Sequence, residues 1–360
     1  MATFFAVATP GLEPACAREL SLLGLDGSIV AGGVRFDADL ANAPRLVRSL
    51  RTPARLLVEV AAGPARSLDA LSQLVAGVDW RPLMAPGVRA DVAVSSKRSR
   101  LRFKERVAGK VEQVLRREVG RAARGRDVQR VQVRILDDVA TISVDAGGEL
   151  LHRRGWRLAT AKAPLRENLA ATLLVMAGWE GDEALVDPCC GAGTIPIEAA
   201  RMARALPAGV DRRYACDAWP AAGRYRPPPP RPLQVPIVGV DRDPGAIRAA
   251  TDNAERAGVD VDWRRLDLRE LEPPAPTGLV VANPPYGVRV GAGAHKRGAH
   301  PAGGFYAALG RTLRERFRGW RALFLAPEPA LAHKVHRDAA CLTRFKNGGI
   351  SVGVWVIELS

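Results

Sequence analysis

The chain has 360 residues, 47% of them hydrophobic, with 53 Lys/Arg against 38 Asp/Glu and a net charge of +15. That is enough for two or three domains with a buried core, while no apolar run approaches the ~20 residues of a membrane span. The opening MATFFAVATPGLEPA lacks a basic n-region, and the five cysteines have no metal-ligand spacing; a reduced, cytoplasmic, monomeric protein without signal peptide or metal is expected.

In chain order, Phe4 to Thr9 is strand-like, and Gly11 and Pro14 open a helix, EPACARELSLLG, that stops at Gly24. GGVRFDA is a second strand, Asn42 to Leu50 a helix and Ala54 to Ala62 a third strand. This β-α-β-α-β order predicts a ferredoxin-like α+β domain over residues 1–60.

Residues 61–150 read as another α+β domain. Ser67 is placed to cap a helix, VRADVAVSS alternates as a strand, and Phe103 to Ala123 is a long basic helix. VQRVQVRILDDVATISVDAGG is a hairpin turned at Asp137-Asp138. Between Lys97 and Arg130 lie 13 Lys/Arg and 4 Asp/Glu. One sign dominating so long a stretch predicts polyanion binding, by Lys97, Arg98, Arg100, Arg102, Lys104, Arg116 and Arg117. Codon bias towards Arg explains the choice of Arg over Lys but not the clustering. The stretch lacks the Trp/Phe/Leu face of a membrane-surface helix.

Residues 151–165, including HRRGWR, are expected as a linker, and 166–360 as an α/β domain. There ALVDP, PIVGVD, VDWRRLD, GLVVANPP and ALFLAPEP alternate with helical stretches, which predicts a doubly wound, mostly parallel sheet of Rossmann-like type. The tail TRFKNGGISVGVWVIELS reads as a closing antiparallel hairpin turned at Asn347-Gly348. Residues 206–236, with four prolines at Pro227–Pro230, are expected as a surface insertion in extended polyproline geometry.

Four strand ends carry the chemistry. In LVDPCCGAGTIPIEAA a strand ends at Asp187-Pro188, and Gly191 and Gly193 let a ligand approach the backbone before a helix starts near Thr194. A dinucleotide site would place a third glycine here and no carboxylate at the strand tip; Asp187 suits an ammonium or sulfonium, and S-adenosylmethionine carries both. In IVGVDRDP, Asp241, followed by Arg242, is placed to accept two ribose hydroxyls, while Asp243 before Pro244 is the better helix cap. Asp267, before Leu268, either accepts the adenine amino hydrogens or caps a short helix. In GLVVANPPYG, the Asn283 side-chain oxygen and the Pro284 carbonyl are placed to hold the hydrogens of a flat amino group. Pro284 and Pro285 stiffen the backbone, and Tyr286 stacks on the ring. A simple tight turn is the bland alternative.

TPGLEPACARELSLLG, the HRRGWR/APLRENLAA junction, DPCCGAGTIPIEAA, NPPYG and the KNGG hairpin, in that order, resemble the THUMP-domain RNA guanine-N2 methyltransferases, class I enzymes that use S-adenosylmethionine. The insertion with Trp219 looks more like the large-subunit (23S) rRNA enzymes than the tRNA enzymes. The resemblance implies an RNA-binding front half. It also implies Asp187, Gly191, Gly193 and Thr194 at the methionine part, Asp241 at the ribose and Asp267 at the adenine. Ala163-Pro164-Leu165-Arg166 would border the cofactor, as would Asn283, and Asn283 to Tyr286 would hold the target guanine. Val288, where the rRNA enzymes often have an acid, and the Gly- and His-rich loop 291–304, with His295 and His300 read as solvent-exposed, depart from the family pattern. A tRNA guanine-N2, a protein-glutamine N5 or a DNA adenine-N6 methyltransferase and a catalytically inactive RNA-binding protein are the competing readings.

Overall fold

The computed structural model describes residues 1–120, 128–158, 165–209, 212–286 and 303–360. They form two units, one of residues 1–8, 19–151 and 211–226 and one of 9–18, 152–210 and 227–360. Pro164, Val288 and residues 291–302 of the Gly- and His-rich loop lie outside the described residues. No described helix is long and apolar enough to cross a membrane.

The chain begins β1 (Ala2–Val7), α1 (Glu13–Leu22), β2 (Gly27–Val30), β3 (Gly33–Ala38), α2 (Ala43–Ser49) and β4 (Arg55–Pro64). It continues α3 (Leu68–Ala76), β5 (Arg89–Lys97), α4 (Lys104–Glu118), β6 (Val128–Leu136) and β7 (Val139–Asp145). The strands form one sheet in the order β2-β3-β1-β4-β7-β6-β5. Only β5 and β6 pair in parallel among them. Residues 1–60 and 61–150 therefore share a continuous sheet, joined where β4 pairs with β7.

Local chemistry sets these elements. GVRFDA buries Val34, Phe36 and Ala38 and turns Arg35 and Asp37 outward, the period of a half-buried strand. Phe36 stacks on Phe4 across the β1–β3 pair, with ring centroids 5.5 Å apart. The Ser67 hydroxyl accepts from the Ala70 N–H and caps α3. Helix α4 buries Val107, Val111, Val114 and Leu115, one apolar stripe at helical spacing. It stops at Glu118 rather than running to Ala123, because Gly120 (φ +91°) turns the backbone left-handed. Asp137 and Asp138, with φ of 51° and 61°, make the expected two-residue turn between β6 and β7.

The stretch expected as a surface insertion is partly core. Cys216 and Trp219 are buried in the first unit. The Trp219 indole N–H donates to Gln129 Oε1 at 2.7 Å, and Asp217 takes two bonds from Arg48 at 2.8 and 2.9 Å. The proline-rich continuation, 226–232, is exposed as expected. An aromatic with an N–H near a buried amide gains more from packing than from solvent, which a compositional reading of the prolines does not reveal.

The second unit holds α5 (Glu167–Ala177), β8 (Ala184–Asp187), α6 (Thr194–Ala203), β9 (Ile237–Asp241), α7 (Pro244–Ala257) and β10 (Asp262–Arg265). It continues β11 (Gly278–Ala282), α8 (Gly303–Arg316), β12 (Arg321–Ala326), α9 (Pro329–Val335), β13 (Ala340–Asn347) and β14 (Ile350–Glu358). The sheet order is β10-β9-β8-β11-β12-β14-β13, parallel through β12 and antiparallel beyond it. This is the doubly wound sheet with a closing hairpin. Alternate residues feed its two faces: Leu185, Ile237, Leu279, Val281, Leu323 and Leu325 enter one core, and Val186, Val238, Val280, Ala282, Ala322 and Phe324 the other. Strands covered on both faces read as unbroken apolar runs for that reason.

Two details differ from expectation. Asn347 pairs with Ile350, so the hairpin turns on Gly348-Gly349, both at positive φ, and Asn347 is the last residue of its strand. The expected linker is packed: Trp156 is fully buried, and Arg154, 1% exposed, pairs with the buried Glu198 at 3.1 Å. Gly11 explains the glycine of the opening motif. At φ +93° a Cβ there would lie 2.4 Å from the Arg344 carbonyl oxygen, and the Gly11 carbonyl itself accepts from Thr343 Oγ1 at 2.9 Å.

Candidate active site

From β8 the chain moves outward to β9 and β10, then returns to place β11 on the other side of β8. The strand order thus reverses between β8 and β11, and ligands of open α/β sheets sit outside the carboxyl ends at such a point. Because the five strands are parallel, one edge carries Asp267 after β10, Asp241 at the end of β9, Asp187 at the end of β8 and Asn283 after β11. The four candidate residues share that edge in this order.

The glycine loop between β8 and α6 is tightly held. Gly191 and Gly193 both have positive φ, 53° and 82°. A Cβ on Gly193 would meet the Trp263 ring at 2.6 Å, and one on Gly239 would meet the same ring at 2.2 Å. Trp263 therefore fills the space beside both glycines. Asp187 Oδ1 accepts from the Cys189 N–H at 3.1 Å, and Asp241 Oδ2 accepts from the Gly191 N–H at 3.0 Å. Asp241 Oδ1 accepts from the Asp243 N–H at 2.9 Å, while Asp243 itself caps α7 through the Gly245 N–H at 2.8 Å. The helix-capping duty thus falls on Asp243. Pro188 and Thr194 are buried, and Arg242 is exposed.

Asp187 is 2% exposed. Burial, with the Asp241 charge adding to it, pushes its carboxyl up to about 8. A carboxylate so placed is stabilised by any cation that reaches it. The neighbouring Cys189 and Cys190 thiols are raised well above their ordinary value by the same burial, which makes them poor nucleophiles at neutral pH.

Asp267 has taken the capping role. Its Oδ1 accepts from the Arg269 N–H at 3.0 Å, and its two oxygens hold the Arg269 guanidinium at 2.8 Å each. The bonds from Arg269 hold its carboxyl well below the usual range. Leu268 beside it is buried in the core.

At the β11 tip, the Asn283 Oδ1 is buried and has no hydrogen-bond partner among the described residues, and the Asn283 backbone lies against the Cys189 thiol. A buried amide oxygen left unpaired costs about 1–3 kcal/mol, which singles this oxygen out as a candidate acceptor. Pro284 is buried and Pro285 exposed. The half-buried Tyr286 ring packs on the core, and its hydroxyl accepts from Asn347 Nδ2 at 2.6 Å. Sequence reasoning missed Asn347, read only as part of a turn, and Trp263, read only as a strand residue; their contacts are long-range.

In the first unit the expected polyanion-binding residues form two groups. Lys97 ends β5, Arg98, Arg100 and Arg102 lie in the following loop, and Lys104 opens α4. Arg116 and Arg117 are in its last turn, ~18 Å further along the helix axis at 1.5 Å per residue. Among the described residues, no group of three or more His, Cys, Asp or Glu is placed to hold a metal ion.

Comparison with known proteins gives the family. Residues 154–353 match the family described as RMKL-like, methyltransferase domain, and residues 3–57 match the RlmL ferredoxin-like domain. The Ribosomal RNA large subunit methyltransferase K/L of Syntrophotalea carbinolica is 36% identical over 96% of this chain and 52% of its own length. That of Methylococcus capsulatus is 33% identical over 99% of this chain and 51% of its own. The chain spans about half the length of these curated relatives. The protein slr0064 of Synechocystis sp., assigned by name to the RNA methyltransferases, is 30% identical over 99% of this chain and 96% of its own length. The crystal structure of SMU.472 complexed with SAH superposes with a TM-score of 0.87 at 25% identity, covering 100% of this chain and 98% of that one. TrmN from Thermus thermophilus shares the fold, with a TM-score of 0.76 at 22% identity over the full length of both chains.

Proposed function

We propose, since the chain belongs to the family of RMKL-like methyltransferase domains, that it methylates the exocyclic N2 amine of a guanosine in structured RNA, with 23S rRNA in the cytoplasm as its substrate. The observation that carries this reading is the buried Asn283 Oδ1, without a partner among the described residues, at the switch point of the sheet.

The residues present fit S-adenosylmethionine. Asp187 is a desolvated carboxylate that gains from a cation, and the adjacent loop has glycines where the backbone runs left-handed. When bound, S-adenosylmethionine supplies an activated methyl group on a sulfonium. Asp187, with Pro188, Gly191, Gly193 and Thr194 around it, holds the ammonium end. Asp241 keeps unused lone pairs for the ribose hydroxyls, with Arg242 at its side. Asp267 and Leu268 border the adenine, the carboxylate by a lone pair that Arg269 leaves open. Pro164 is assigned to the same border from the family resemblance.

Asn283 Oδ1 and the Pro284 carbonyl take the two hydrogens of the substrate amine. Held so, the nitrogen lone pair turns out of conjugation with the ring and towards the donor. Tyr286 covers the ring face, and Pro285 stiffens the segment. Positioning is the main contribution of these groups, and no strong base is needed. A target within a helix is flipped out to reach them. The first unit, with a ferredoxin-like part over 1–60 and a THUMP-type part over 61–150, supplies the RNA-binding surface.

Transfer of label from methyl-labelled S-adenosylmethionine into RNA, DNA and protein fractions tests the reading. Label in the RNA fraction, mapped to guanine N2, is expected. Label confined to DNA or protein overturns it, and RNA binding with no cofactor binding by calorimetry identifies an inactive RNA-binding protein.

A further inference from the structure

We propose that Phe103 is a stacking platform for an unpaired RNA base, beside a basic cavity that takes the adjoining phosphate. The inference rests on the RNA-binding reading above and adds the chemical class of the bound element, a single-stranded nucleotide.

Phe103 is 74% exposed, the only aromatic among the exposed large hydrophobic side chains of the described residues. Folding does not account for it. The residue stands at the N-cap of α4 and makes no side-chain cap bond. A Ser, Thr, Asp or Asn at that position would stabilise the helix by about 0.5–2 kcal/mol over an apolar residue. Burial would have been the other reward for a phenyl ring, and it is absent. Both preferences of the position are therefore unserved, and the ring lies open between the exposed Arg102 and Lys104.

The loop before it is preorganised. Asp138 Oδ1 accepts from the Ser99 hydroxyl at 2.9 Å and from the Arg100 N–H at 2.7 Å. Arg98, at φ +48°, is clamped on Asp137 by two bonds of 2.7 and 2.8 Å. These carboxylates fix the loop and consume one guanidinium. Arg100 stays 71% exposed, 3.6 Å from Asp138. Ser96, Arg98, Ser99, Arg100, Arg102 and Asp138 line a cavity of about 430 Å³, of a size that suits a small polar group. The exposed guanidiniums of Arg100 and Arg102 on its wall match a phosphate.

An aromatic ring beside a cationic cavity recognises single strands. The bases of a duplex are hidden in their own stack, whereas an unstacked base offers a face to a side chain. The ring contributes without charge, so its share of the affinity does not depend on salt, unlike that of the arginines.

The test compares the full chain with Phe103→Ala and Phe103→Trp for binding to a short unstructured oligoribonucleotide and to a blunt RNA duplex, across a salt series. Phe103→Ala is expected to weaken single-strand binding about tenfold, with duplex binding and the salt slope unchanged, while Phe103→Trp keeps wild-type affinity. Equal single-strand affinity for wild type and Phe103→Ala overturns the proposal alone, as does an equal loss on both RNAs. Absence of RNA binding by the wild type overturns the RNA-binding reading and this proposal with it.

Discussion

Asn347, at the end of the last-but-one strand, donates from Nδ2 to the Tyr286 hydroxyl at 2.6 Å. The closing hairpin thereby holds the ring that follows Asn283-Pro284-Pro285. The contact makes Asn347 a positioning residue for the proposed base wall. Asn347→Ala and Tyr286→Phe are each expected to lower turnover about 5- to 10-fold, the equivalent of one hydrogen bond of about 1 kcal/mol. In a double-mutant cycle the pair should be no worse than either single variant; additive losses would show that the two residues act separately.

Asn283→Ala removes the orphan acceptor and should cut turnover by at least ~10²-fold, the scale of a lost positioning contact. Cofactor affinity, measured by calorimetry, should stay within about twofold of wild type, which is under ~0.5 kcal/mol. Retained turnover would mean that the buried oxygen has another purpose.

Asp187 gives a pH signature. Its folded carboxyl is raised from the usual 3.8 to about 8 by burial, so between those values the native state holds a proton that the unfolded state has released. Stability of the ligand-free protein therefore falls as pH rises through this window. A cationic ligand binds the ionised form, so S-adenosylmethionine affinity should climb up to about tenfold per pH unit below pH ~8, with proton release. Calorimetry in buffers of different ionisation enthalpy measures that release, and Asp187→Asn should abolish it.

Charge reversal separates the basic residues. Arg98 is already held by Asp137, whereas Arg102 and Lys104 are exposed and make no ion pair among the described residues. Arg102→Glu should weaken RNA binding more than Arg98→Glu and lower the salt slope by about one. A larger effect from Arg98 in filter binding at several salt concentrations would reverse the assignment.

Arg154→Ala removes the guanidinium that pairs with the fully buried Glu198. The expected cost is about 3–5 kcal/mol, read as a lower denaturation midpoint. Because Glu198 lies in α6, directly after the glycine loop, cofactor affinity should fall with it.

Much of the second unit was legible from short-range chemistry. Unbroken apolar runs mark strands covered on both faces, and Asp187, Asp241 and Asn283 follow such runs. Gly191 and Gly193 sit where the backbone must turn left-handed, and Asp243 precedes a proline that opens a helix. Each of these depends on neighbours within a few residues, so the order of residues is enough to find it. What the order could not supply was adjacency across the sheet. That Trp263 closes over Gly193 and Gly239, that Asn347 reaches Tyr286, that Arg269 claims both oxygens of Asp267, and that Trp219 enters the first unit all depend on which strand lies beside which, and in what register. The sequence by itself determined the elements and the strand-tip carboxylates, because turns, caps and alternation are local. Only the tertiary structure decided which of them meet, because partners far apart in the chain are chosen by the packing of whole faces.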